Sequence, residues 1–119
     1  MREYKPKDFP IIKRWYEYYG THLGDNLLPD IGFISDHAAC FLMTTNSGFC
    51  FLEPLIGDPH EPEERRAELD SVIEACVQKA KELGFTQVLG LAKTESVIER
   101  ARKLGFTELS TYTMLSRRI

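Results

Sequence analysis

The chain is poor in cysteine, has no long apolar run and carries no marked excess of either charge. Three cysteines in 119 residues, Cys40, Cys50 and Cys76, are too few and too scattered for a disulfide framework or a zinc cluster. None has a histidine or a helix N-terminus beside it in sequence to lower its pKa, so they read as small buried hydrophobes in a reducing, cytoplasmic setting. No apolar stretch approaches the ~20 residues that span a bilayer, which argues against a membrane protein. The start, Met1-Arg2-Glu3-Tyr4-Lys5-Pro6-Lys7, is not followed by the apolar segment of a signal peptide. A net charge of −3 gives no long-range pull on nucleic acid. What remains is a soluble chain with 43% hydrophobic and 28% charged residues, long enough for one core and one domain spanning residues 1–119.

Its periodicity alternates between strand and helix. Arg2–Tyr4 predicts a short strand, and Asp8 an N-cap for a helix with Phe9, Ile12, Trp15, Tyr16 and Tyr19 on one face, stopped by Gly20. Thr21–Asp30 is turn-rich and predicts a loop or short helix. Ile31–Ser35 and Ala38–Thr44 predict a hairpin turning at Asp36-His37, and Phe49–Ile56 returns as the next strand. In that last strand both alternating sets are apolar, Phe49, Phe51 and Leu55 on one side and Cys50, Leu52 and Ile56 on the other. Such a strand belongs in the middle of a sheet with helices above and below. Glu53 breaks the pattern. A carboxylate there is costly unless it is paired or reaches a cleft.

The loop Gly57–Pro62 leads into a long helix predicted over Glu63–Leu83, with Pro62 suited to its first turn and Glu63 and Glu64 matching its dipole. A strand feeding a helix N-terminus is a common place for phosphate, because first-turn N–H groups are free. Val88–Ala92 predicts a buried strand, and Thr94 caps a second helix with Val97, Ile98, Ala101 and Leu104 on its apolar face. Leu-Gly-Phe-Thr occurs at Leu83–Thr86 and again at Leu104–Thr107, each time as helix-stop chemistry. Thr107–Leu115 alternates through Leu109, Thr111, Thr113 and Leu115 and predicts a last strand.

This order, closed by Thr94-Glu-Ser-Val-Ile-Glu-Arg-Ala-Arg-Lys-Leu-Gly-Phe106, resembles the GNAT acyltransferase superfamily, most of all its small, divergent bacteriophage and prophage members. As topology the resemblance covers nearly the whole chain; as motif it runs from about Val72 to Phe106. It implies an α/β (α+β) fold with a mixed, mostly antiparallel sheet flanked by helices on both faces. It also implies acetyl-CoA as cofactor, held in the splay between Phe49–Ile56 and Val88–Ala92. The cofactor-binding residues it implies are Leu55, Ile56, Arg65, Arg66, Ala67 and Thr94. Glu53 is the implied general base and Tyr112, on the last strand, the implied acid, with His60 a further candidate. The implied reaction is acyl transfer to an amine acceptor, small molecule or protein, and a homodimer is compatible with it.

The family's phosphate loop would fall on Arg65-Arg66-Ala67-Glu68-Leu69-Asp70, where Glu68 and Asp70 occupy positions of glycine. Thr94 and Ala101 stand where the family has asparagine and tyrosine. A second expectation therefore stays open, a non-catalytic binding or assembly protein of the same fold, phage-encoded, with a degenerate CoA loop. Arg65-Arg66, Arg100–Lys103 and Arg117-Arg118 are the only support for a nucleic-acid partner, and basic residues late in a helix have a dipole role anyway.

Overall fold

The computed structural model describes residues 1–24 and 27–119. Five strands form one sheet in the order β1 (Arg2–Glu3), β2 (Ile31–Ile34), β3 (Ala38–Met43), β4 (Phe49–Gly57) and β5 (Gln87–Leu89). The first four pair antiparallel and β5 runs parallel to β4. Helix α1 (Phe9–Tyr18) covers one face, and α2 (Pro62–Glu82) covers the other, followed by α3 (Glu95–Lys103). This is the expected mixed, mostly antiparallel sheet between helices. The loop expected over Thr21–Asp30 includes two positions, 25 and 26, that lie outside the described residues.

The sheet separates two cores because strand side chains alternate. Ala38, Cys40 and Leu42 of β3 face α2, where Val72, Ile73, Cys76 and Ala80 meet them. Ala39 and Phe41 face α1, against Ile12 and Trp15. All three cysteines are buried and free, and burial beside Cys76 pushes the Cys40 thiol well up. They are packing groups.

The strict alternation expected along β4 breaks at its middle. Cys40 pairs with Leu55 but Leu42 with Leu52, so three steps on β4 match two on β3. Pro54 sits in this irregularity, which suits a residue that has no N–H for the ladder; the Glu53–Pro54 peptide is cis. The extra residue reverses the faces beyond it. Leu55 joins Cys50 and Leu52 on the α2 side, and Ile56 enters the α1 core.

The repeated helix stop is built as expected. Gly84 and Gly105 take φ of 92° and 90°, and the following N–H reaches back one turn, Phe85 to the Ala80 carbonyl and Phe106 to that of Ala101. Phe85 and Phe106 then fold onto the α2-side core.

Three expectations need correction. Asp8 does not cap α1 through its side chain: it is buried and takes two 2.6 Å bonds from the Arg2 guanidinium and one from the Lys5 N–H. The fifth strand is Gln87–Leu89 rather than Val88–Ala92, and its residues are half-buried or exposed. The chain leaves the sheet at Gly90, and Leu91 is exposed. Residues 107–119 form no strand, so the last strand expected at Thr107–Leu115 is not part of the sheet. Alternation supplies the side chains of a strand, but a strand also needs a neighbour for its backbone. No helix among the described residues is long and apolar enough to cross a membrane.

Candidate functional site at the fork of the sheet

β4 and β5 pair only from Phe49–Phe51 to Gln87–Leu89. Beyond that β4 continues to Gly57 while the β5 chain turns away, so the two strands part at Leu52–Glu53. The fork exists because β5 is short and because Pro54 disturbs β4 where it opens. Glu53 stands at its vertex. Its Oε1 accepts the Leu91 N–H at 3.1 Å, a bond that crosses the fork. Among the described residues Glu53 has no arginine partner, and it lies half-buried within β4 rather than exposed at its end. Burial raises its pKa, and the Leu91 N–H only partly offsets this.

Tyr16 of α1 lies on the same side of the sheet. Burial pushes its phenol up to about 12, and the nearby Glu53 carboxylate adds to the shift. Tyr16 therefore stays protonated and can donate a hydrogen bond. The sequence places it within an aromatic stripe but does not reveal its nearness to Glu53.

The other end of the fork is the turn at 58–61 and the start of α2. Pro62 has no N–H to offer, and the Arg65 N–H bonds the Glu61 carbonyl at 3.0 Å. The amides of Glu63 and Glu64 are first-turn groups without an intrahelical acceptor. Arg65 lies over this end. Its Nη1 donates to the Tyr19 hydroxyl at 3.0 Å and to the Asp58 carbonyl at 3.4 Å, and the Tyr19 hydroxyl donates to the Gly57 carbonyl at 3.3 Å. Gly57 is glycine for space, since an added Cβ would stand 2.9 Å from the Arg65 Cδ. The His60 ring packs edge-on against Tyr18, with centroids 4.8 Å apart.

The remaining sequence candidates lie elsewhere or act otherwise. Leu55 and Ile56 turn their side chains into the two cores, leaving only their backbone beside the fork. Arg66 is exposed and its carbonyl accepts Arg100 Nη1 at 3.0 Å. Ala67 is exposed. Thr94 is the N-cap of α3, accepting the Val97 N–H. Tyr112 lies in the segment 107–119, 80% exposed, and the last strand expected to carry it does not form.

The stretch Arg65–Asp70, onto which the family's phosphate loop would fall, is helical, as the helix expected over Glu63–Leu83 has it. Its two acidic residues hold the fold together. Glu68 accepts the His37 N–H at 2.8 Å and pairs with His37 Nδ1 at 2.5 Å, tying the β2–β3 turn to the helix. Asp70 takes the Arg100 guanidinium at 2.5 Å and ties α3 to α2. The basic cluster of α3 is also occupied, with Arg102 on Glu95, Glu99 and Glu108. Among the described residues no group of histidine, cysteine and carboxylate side chains could hold a metal ion.

The His37–Glu68 tie has a definite pH signature. The Glu68 bond, ahead of an opposing effect of burial, raises His37 above its ordinary 6.5. Burial pushes Glu68 up, but hydrogen bonds from Ser35 and His37 pull it below 4.5 overall. The histidine contribution is complete below pH 6.5 and fades as pH rises through the raised value. The glutamate contribution is complete above pH 4.5 and fades as pH falls through the lowered one. The gap in Tm between wild type and His37→Ala should therefore be widest between pH 4.5 and 6.5. Two parallel Tm curves from pH 3 to 9, on the order of the range where both groups titrate, would contradict this assignment.

No family model matches the sequence, and no curated protein matches it. Solved structures do match. A putative acetyltransferase from Agrobacterium tumefaciens superposes with a TM-score of 0.75 at 14% identity, covering 98% of both chains. An acetyltransferase from Trypanosoma brucei gives 0.72 at 16% identity, over 98% of this chain and 97% of that one. An aminoglycoside N-acetyltransferase in complex with CoA gives 0.68 at 17% identity, over 99% and 93%. Likeness at this level of identity covers the path of the backbone and leaves the site residues to be judged on their own. The chain has the GNAT fold of these acetyltransferases.

Proposed function

We propose that this chain is an acyl-CoA-dependent N-acyltransferase acting on an amine. One observation carries the reading: a half-buried carboxylate of raised pKa, Glu53, stands where the parallel strands β4 and β5 of a GNAT fold part. A carboxyl raised toward neutrality is a more effective proton acceptor than one in water, provided it is still ionised at the working pH.

The donors present at the fork suit an acyl-CoA. Arg65 and the Glu63 and Glu64 amides would hold its phosphates, and the backbone of Leu55 and Ile56, beside the open edge, would receive its pantetheine arm. The bound thioester would supply an activated acyl carbonyl. Glu53 would take the proton from the acceptor ammonium, and the free amine would form the amide C–N bond as the acyl C–S bond breaks, its second proton leaving with CoA as the thiol. Tyr16, held as a phenol, can position that amine or its neighbour by a hydrogen bond. The carboxylates of Glu61, Glu63 and Glu64 are exposed around the same phosphates and repel them, so affinity for CoA is expected to be modest and to fall with salt.

Calorimetry with acetyl-CoA tests this. Binding is expected, weakened by Arg65→Ala and strengthened several-fold by the pair Glu63→Gln and Glu64→Gln, on the order of 1 kcal/mol for charges at a helix start facing an anion. No heat and no thermal shift at saturating ligand would overturn the proposal. That outcome would leave the second reading, a non-catalytic binding or assembly protein. The structural employment of Glu68 and Asp70, where the resemblance expects phosphate-binding glycines, favours that reading. Phage or prophage origin belongs to the same proposal, and virion or packaging genes beside the gene would support it. A setting of metabolic genes alone would count against it.

A further inference from the structure

The arginines that tie the fold together do so through carboxylates. Arg2 bonds Asp8, Arg100 bonds Asp70, and Arg102 bonds Glu95, Glu99 and Glu108. Arg65 is different. Asp58, Glu61, Glu63 and Glu64 precede it in the chain, yet among the described residues no carboxylate pairs with it. Its guanidinium rests on two neutral oxygens, the Tyr19 hydroxyl and the Asp58 carbonyl. The Asp58 carboxylate is used within its own turn, where Oδ1 accepts the His60 N–H at 2.9 Å.

An arginine side chain is long, and fixing it in one geometry costs conformational entropy. Here the cost is met within the fold. The stem crosses Gly57, near enough that an added Cβ would stand 3.3 Å from the Arg65 Cβ and Cγ. Both hydrogen bonds of the head use Nη1. Among the described residues Nε and Nη2 have no acceptor, and these two N–H groups form the edge that meets two oxygens of one phosphate side by side. Tyr19 suits its part because a phenol has one proton to give. That proton goes to the Gly57 carbonyl at 3.3 Å, so the hydroxyl oxygen is left as an acceptor for Arg65 at 3.0 Å.

We propose that Tyr19 is a positioning residue of the acyl-CoA site: it holds Arg65 with the Nε and Nη2 edge open to a phosphate of the ligand. Tyr19 acts through Arg65 and does not itself touch the ligand. The inference rests on the acyl-CoA reading and adds to it the group that presets the cation. Helix α1 then serves both ends of the fork, with Tyr16 beside Glu53 and Tyr19 one helical turn further on Arg65.

Calorimetry with acetyl-CoA on the full chain, on Tyr19→Phe, on Arg65→Ala and on the double variant tests it. Tyr19 is 51% exposed and phenylalanine keeps the ring, so the Tm is expected to stay at the wild-type value. Tyr19→Phe is expected to weaken binding about 2- to 10-fold, the worth of one ordinary hydrogen bond, and to raise KM for acetyl-CoA by the same factor while kcat holds. In the Arg65→Ala background the same change is expected to do nothing, because the group it positions is gone. Wild-type affinity in Tyr19→Phe overturns the proposal. An equal loss with and without Arg65 overturns it as well, since Tyr19 would then meet the ligand directly. A loss of affinity that comes with a lower Tm makes Tyr19 a structural tie and overturns it too. Each of these results leaves the acyl-CoA reading standing, whereas no binding by wild type removes that reading and the proposal with it.

Discussion

Glu53→Gln is expected to lower kcat for amine acylation about 10²- to 10⁴-fold, the usual worth of a positioned general base, while leaving the protein at least as stable as wild type. The two effects have opposite signs for one reason. Burial raises the Glu53 pKa, so at neutral pH the folded state carries a charge that it disfavours. The sign follows from linkage: a carboxyl whose folded pKa is raised stabilises the fold below its unfolded pKa, and that contribution is lost as pH rises through the folded value. Glutamine removes the charge, keeps the size, and still presents an oxygen to the Leu91 N–H that now lies at 3.1 Å.

The pH profile gives an independent check. In wild type the acidic limb of kcat/KM should fall at a pH above the ordinary carboxyl value of 4.5, because the base must be ionised to work. That limb should vanish in the glutamine variant, where the residual rate follows the unprotonated fraction of the acceptor alone. A variant that loses stability and keeps its rate would make Glu53 a latch on the fork rather than a base. Acylation by the variant at the wild-type rate would move the chemistry elsewhere.

The largest stability effect is expected at Gly32. It sits in β2 directly across from Phe41, and a Cβ at that position would lie 2.4 Å from Phe41 Cδ1 and 2.9 Å from the Cys40 carbonyl oxygen. Phe41 is fully buried, with Tyr4 edge-on to it at 4.9 Å, so its ring has little freedom to withdraw. The backbone carbonyl has less. Gly32→Ala is therefore expected to cost about 1–3 kcal/mol in denaturant unfolding, the range for overpacking a close-packed core, and Gly32→Val more. Phe41→Leu should itself be destabilising, since it removes buried carbon. In the Gly32→Ala background it should cost less than it does alone, because the shorter side chain makes room. Strict additivity of the two changes would show that the strain is taken up elsewhere. An alanine variant as stable as wild type would refute the close approach altogether.

These residues separate what is local to the chain from what its packing decides. The long helix, written as Glu63–Leu83 from spacing and found as Pro62–Glu82, was legible because its apolar stripe, its proline and its glycine stop are all local. The two Leu-Gly-Phe stops were equally plain, since a left-handed residue after a helix is a requirement that glycine meets by itself. Strand positions from Ile31 to Ile56 followed from alternation and turn residues, and with them the α/β class.

At Pro54 the sequence held a signal that alternation alone passes over: a proline inside a central strand implies an irregular ladder, and with it the exchange of faces at Leu55 and Ile56. Gly32 likewise announces a close approach, though not the neighbour that makes it. Glu53 was recognisable as out of place on a buried strand, but its partner, the Leu91 amide, lies 38 residues away, and Tyr16 comes from another element again. Glu68 and Asp70 stand where the resemblance expects phosphate-binding glycines, and spacing already puts them in the long helix; only the packed structure shows them tying the hairpin and α3 to it.

The amino-acid order by itself determined the helices, their stops and the strands that alternate, because each rests on the conformational preferences and spacing of residues within a turn or two. Which alternating segments join the sheet, where its two parallel strands part, and what stands at the vertex were decided only in three dimensions. A strand exists through the hydrogen bonds of a neighbour, and a perturbed carboxyl exists through burial, and neither the neighbour nor the burial is written in the residues beside it.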